Sequence, residues 1–203
     1  MPENSADKLF GSFSTTYEDA ATSELSRRGF LRMAAGAVGG LALAPSLLQA
    51  ASSTERCLAI HCPHTGETMR VVYWVPDEGY IKPSIDELSW VMRDHHTNDI
   101  KPIDPKLLDQ LYALQVKLEP KQPIHVISGY RAPSTNARMR KRNRAVAKDS
   151  LHMRGMAVDI RMLDRRVGDL HRAALSMRAG GVGLYSRSGF VHIDSGDFRT
   201  WGA

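Results

Sequence analysis

Residues Ser150–Asp159 read SLHMRGMAVD. A histidine and an aspartate stand seven positions apart, with Gly155 and Ala157 between them. Gly155 allows the loop to turn back. Gly155–Ile160 then reads as a strand in which Ala157 and Asp159 share one face. A small side chain at 157 leaves that face open toward His152. Two readings fit the stretch: a polar loop whose side chains are satisfied by hydrogen bonds, or half of a zinc site.

The neighbouring segments set the fold class. Pro123–Ser128 is a β-branched run and reads as a strand. Val182–Tyr185 and Phe190–Asp194 read as short strands around Ser186–Gly189. Arg56–Cys62 and Glu67–Val75 alternate and are separated by Pro63-His64-Thr65-Gly66, the pattern of a hairpin. Ser84–Glu87 has the spacing of a capping box opening a helix through Met92. Asp104-Pro105 opens another helix, with Leu107, Leu111, Leu114 and Leu118 as its core stripe. Val167–Met177 is amphipathic and meets a stop at Gly180-Gly181. Helices early and short strands late predict an α+β fold, a small antiparallel sheet with flanking helices.

The N-terminal 50 residues read as an address rather than as fold. SRRGFLR, residues 26–32, precedes MAAGAVGGLALAPSLLQA. The apolar stretch from Met33 to Leu48 is short and glycine-rich against the roughly 20 residues a spanning helix needs. The pattern resembles a twin-arginine signal, which implies export of a folded protein to the periplasm by the twin-arginine machinery. Cleavage is expected near Ala50. Residues 51–203 then form one domain of ordinary size with no stable membrane span. That domain carries 23 Lys and Arg against 17 Asp and Glu.

A catalytic zinc takes three protein ligands and keeps one position open. His152 and Asp159 supply two. His192, in GFVHIDSG, is the candidate third: its apolar neighbours Val191 and Ile193 point away, so His192 and Asp194 project together. Cys57 and Cys62 lie about 16 Å apart along a straight strand, beyond disulfide reach. A zinc clip with His61 and His64 and two ordinary strand residues are the other readings of that pair.

SLHMRGMAVD fits S-x-H-x-x-G-x-A-x-D, and on it the chain resembles the zinc D-Ala-D-Ala peptidases and their relatives, the M15 group. HVISGYRAPSTN and GGVGLYSRSGFVHIDSGDFRTW extend the likeness to the murein endopeptidase K type, over nearly the whole of residues 51–203. The resemblance implies that His152, Asp159 and His192 bind Zn2+ and that Arg131 lines the active site. It also implies cleavage of peptidoglycan cross-links, including those between two meso-diaminopimelate residues. Arg131 then binds a substrate carboxylate or stabilises an oxyanion, and Ser150 contacts substrate or fixes its loop.

One departure stands out. Better-known members carry E-x-x-H with the glutamate as general base, and here Gly189 occupies the glutamate position. Asp194 either takes over as base or orients His192 from behind. The alternatives to an endopeptidase are a carboxypeptidase on stem peptides and a non-catalytic wall-binding module. The basic run Arg138, Arg140, Lys141, Arg142, Arg144 and Lys148 lacks aromatic partners, and an exported protein seldom meets nucleic acid. Nucleic acid is therefore not an expected partner. A solvated face and attraction to anionic wall polymer remain.

Overall fold

The computed structural model describes residues 55–202, so the export signal read at 1–50 lies outside the described residues. Strands β1 (Arg56–His61), β2 (Thr68–Val75) and β3 (Gly79–Tyr80) precede helices α1 (Lys82–Val91) and α2 (Pro105–Leu118). Strand β4 (Ile124–Ser128) and helix α3 (Pro133–Arg142) follow, then a 3-10 turn (Leu151–Arg154) and β5 (Ala157–Arg161). The chain continues through α4 (Val167–Met177), β6 (Gly181–Tyr185), β7 (Phe190–Asp194) and β8 (Arg199–Trp201).

The α+β class expected from the sequence holds, but the sheet is larger than expected and mixed. Its eight strands run in the order β3-β2-β1-β4-β5-β7-β6-β8. β1 pairs with β4 and β6 with β8 in parallel, and the other neighbours are antiparallel. The chain leaves β1, makes the β2–β3 excursion and two helices, and re-enters beside β1 as β4, a crossover that dictates a parallel pair. Strands of two and three residues, as β3 and β8 are, carry no period for sequence reading to detect.

Local chemistry explains most boundaries. Asp104 caps α2 by accepting from the Lys106 backbone N–H at 3.0 Å, with Pro105 as first residue. Leu107, Leu108, Leu111 and Leu114 on this helix are fully buried. Burying each such leucine is worth about 1.5–3 kcal/mol, so α2 is held by its packing against β1 and α4. The expected capping box at Ser84 is not used: α1 begins at Lys82, with Ile81 at the cap and proline in the first turn. Pro83 presets the helical φ before Ser84 is reached. Helix α4 ends at Arg178 in a left-handed conformation rather than at Gly180-Gly181. Those two glycines instead lie where the backbone crosses close to Asp194. Cys57 and Cys62 are free thiols. The basic run forms the C-terminal turns of α3 and the loop after it.

Candidate metal centre

The site is built on three consecutive sheet neighbours. Ser128 of β4 pairs with Asp159 of β5, and Asp159 pairs with His192 of β7. Alternation along β7 puts His192 and Asp194 on one side, as expected. His152 arrives from the 3-10 turn, whose C-terminal cap is Gly155 at φ 70. The turn is tied back to the β4–α3 loop, where the Arg131 backbone N–H donates to the His152 carbonyl at 3.2 Å.

Three atoms that could hold a metal ion converge. His152 Nε2 lies 3.1 Å from His192 Nδ1 and 3.3 Å from Asp159 Oδ1, and His192 Nδ1 lies 2.9 Å from the same carboxylate oxygen. Donors about 2.0–2.1 Å from a tetrahedral zinc sit roughly 3.3 Å from one another, so the spacing fits. The proton positions fit as well. His152 Nδ1–H donates to the Gly129 carbonyl at 2.7 Å, and His192 Nε2–H donates to Asp194 Oδ2 at 3.0 Å. Those partners assign the tautomers and leave one lone pair on each ring facing the Asp159 carboxylate. Three electron-pair donors in mutual contact repel unless a cation sits among them. No other group of His, Cys, Asp or Glu among the described residues meets the geometry of a metal site. The zinc-clip reading of the Cys57 segment therefore has no geometric support there.

Burial and charge oppose each other across this cluster. Burial pushes the His152 pKa down, against the pull of Asp159. Burial pushes Asp159 up, but His152 and His192 outweigh it and hold the carboxyl well below its usual range. His192 is raised, because the two carboxylates it touches more than offset burial. Asp194 is fully buried and pulled down to about 2, with burial overcome by His192, Arg199 and the Gly196 backbone N–H.

The tripod forms part of the floor of a cleft of about 450 Å³. Arg131 also lines it; the guanidinium is buried, 3.6 Å from Asp159 Oδ2, and reaches Ser128 and Asn136 at 3.4 Å each. Ser150 caps the 3-10 turn by position only, since its side chain makes no capping bond, and it too faces the cleft. Asp194 does not line the cleft. Its Oδ1 accepts from Gly181 and Gly196 N–H and from Arg199, and its Oδ2 from His192 and Arg199. Gly189 sits in the β6–β7 turn at φ 68, and a side chain there would face the Arg161 guanidinium. Arg199, Trp201 and Tyr185 are cleft residues that the sequence reading missed. The available signal was the alternate glycines Gly181 and Gly183 in β6, since glycine inside a strand marks close approach of another group.

A His–Asp–His tripod, two members on strands and one on a turn, open to a cleft and flanked by a buried arginine, is a donor set suited to a metal-dependent hydrolase. Comparison with known proteins narrows it. A family model described as peptidoglycan L,D-endopeptidase MepK, of the M15 peptidases, matches residues 50–201. The chain is 41% identical over 179 residues to the peptidoglycan L,D-endopeptidase MepK of Escherichia coli strain K12, covering 88% of this chain and 98% of that protein. It is 36% identical over 171 residues to the probable peptidoglycan L,D-endopeptidase MepK of Haemophilus influenzae, covering 81% and 91%. The chain belongs to the MepK family of the M15 peptidases.

Proposed function

We propose that this chain is an exported, zinc-dependent murein endopeptidase that hydrolyses peptide cross-links of peptidoglycan, including links between two meso-diaminopimelate residues. The observation that carries the reading is the convergence of His152 Nε2, Asp159 Oδ1 and His192 Nδ1 at 2.9–3.3 Å beside an open cleft. The named activity of the relatives supports the substrate. The paired Arg27 and Arg28 before an alanine- and glycine-rich run support twin-arginine export of residues 51–203 to the periplasm.

His152, Asp159 and His192 would hold the zinc, which when bound would supply a Lewis acid and lower the pKa of a water. Arg131 keeps a buried positive charge beside the cluster and stabilises the oxyanion that develops on the carbonyl. Ser150, at the cleft wall, contacts the substrate backbone. We assign Asp194 to orienting His192 rather than to taking a proton, because both its oxygens are occupied and it lies beneath the cleft. The basic side chains at the end of α3 draw the enzyme to the carboxylates of the wall polymer.

Metal analysis of the purified protein tests the reading. One zinc per chain is expected, reduced to a small fraction in the His152→Ala and His192→Ala variants. A chain purified without chelators that holds no zinc, and takes up none on titration, contradicts it.

A further inference from the structure

The last strand lies beside the metal ligands while contributing none itself. β6 separates β8 from β7, and register aligns two rows across these strands. In the first row Asp159, His192, Gly183 and Trp201 are successive partners. In the second, Ala157 pairs with Asp194 and Gly181 pairs with Arg199, while the Gly181 N–H donates to Asp194 Oδ1 at 3.1 Å.

β6 carries a glycine at each crossing. A Cβ on Gly183 would overlap the Trp201 indole, and one on Gly181 would overlap the Asp194 carboxylate and Arg199 Nη1. Glycine weakens a strand interior, so two of them on one face of a five-residue strand keep space for the groups that fill it. Through that space Arg199 forks onto Asp194, Nη1 to Oδ1 at 3.0 Å and Nη2 to Oδ2 at 2.6 Å. Trp201 fills the other space, its ring centroid 5.0 Å from that of His192. Its indole N–H donates to the Tyr185 hydroxyl at 3.2 Å, and the Arg199 guanidinium lies over its ring at 5.3 Å.

We propose that β8 is a positioning clamp for the third metal ligand. Arg199 fixes the Asp194 carboxylate, Asp194 fixes Nε2–H of His192, and Trp201 packs against the imidazole, so that Nδ1 meets the metal in one orientation. Arg199 and Trp201 are thus positioning residues, acting through His192. The proposal rests on His192 being a metal ligand and not on the identity of the substrate. Planarity matters here: a fork of two parallel N–H bonds orients a carboxylate, whereas an ammonium supplies only charge.

The test measures zinc affinity of the full chain by competition with a chromophoric chelator, with no peptidoglycan present. Arg199→Gln should weaken zinc binding by about ten- to a hundredfold, and Arg199→Lys should recover only part of the loss. Trp201→Phe should stay near the parent, while Trp201→Ala should fall about tenfold. The visible spectrum of the cobalt-substituted protein should change in Arg199→Gln, reporting a ligand no longer held in one geometry. Placed on an Asp194→Asn background, Arg199→Gln should have little further effect, because the two act in series. In turnover assays the change should fall on kcat and not on KM. A folded Arg199→Gln or Arg199→Lys with parental zinc affinity overturns the proposal. An undiminished Arg199 effect on the Asp194→Asn background also overturns it, as does a rise in KM alone, which would make Arg199 a direct substrate contact. Should Arg199→Gln fail to fold, the lysine variant and the two Trp201 variants carry the decision. Parental zinc affinity in a chain that hydrolyses no peptidoglycan would count against the proposed substrate and leave the clamp intact.

Discussion

Each nitrogen of His192 has its own partner, and that division of labour sets the chemistry of the site. Nε2 is committed to Asp194 and Nδ1 faces Asp159 and His152. The three residues that converge were legible in the sequence because a zinc site draws on few residue types and strand alternation pairs 192 with 194. Which nitrogen of His192 faces the other two residues was not legible, since it depends on a carboxylate fixed by Arg199 from another strand. The role of Asp194 was equally hidden: a strand-end carboxylate looks the same in sequence whether its oxygens are free or filled. Arg131 is the residue with a distinct prediction. Its guanidinium reaches Ser128, Asn136 and Asp159 together, a geometry lysine cannot copy. Arg131→Lys should lower kcat by about a hundredfold or more with zinc content unchanged, measured on soluble cross-linked muropeptides. An unaltered kcat would remove Arg131 from the reaction.

Among the elements, the 3-10 turn and the loops that brace it decide whether the site assembles. Gly155 ends that turn in the left-handed region, and a Cβ there would overlap the Pro102 carbonyl. Its need for a turning residue was readable from SLHMRGMAVD; the neighbour that forbids a side chain was not, because Pro102 is remote in sequence. Gly155→Ala combines backbone strain with this clash and should cost about 2 kcal/mol or more. For a domain of this size thermal unfolding should show a fall in Tm of roughly 4–8 °C; an unchanged Tm would mean the turn relaxes freely. Asp94 braces the other side. It is buried and accepts from the backbone N–H groups of His96 and Ala132 at 2.8 Å each. Burial raises its pKa, but those bonds and Thr135 prevail and hold it below the ordinary carboxylate value. A group depressed on folding contributes its stability above the unfolded pKa, about 3.9, and loses it as the pH falls through the lower folded value. Asp94→Asn should therefore be less stable than the parent at neutral pH, with the gap closing below about pH 4. Denaturant unfolding at a series of pH values would show this, and a gap constant with pH would contradict it.

Across the whole molecule, the eight-stranded mixed sheet brings residues 128, 159 and 192 into adjacent register, and nothing local in the sequence reveals that order. The sequence carried the individual strands through their alternation. The parallel pairings come from crossovers whose ends meet only in three dimensions. The cleft is lined by the tripod together with Met139 and Val146 from α3 and the loop after it, and Tyr185, Phe190 and Trp201 from β6, β7 and β8. The same helix and loop present Arg138, Arg140, Lys141, Arg142 and Arg144 as exposed side chains. Among the described residues none of these five forms an ion pair. Such a surface suits a polymer rich in carboxylates. Cutting of peptide cross-links with a metal held by His152, Asp159 and His192 should be visible in the muropeptide profile of purified sacculi after digestion. Cross-linked dimers should fall and monomers rise with the parent protein, and neither should change after chelation or with His192→Ala. Dimers left intact while single residues are released from stem-peptide ends, or digestion that survives chelation, would contradict it.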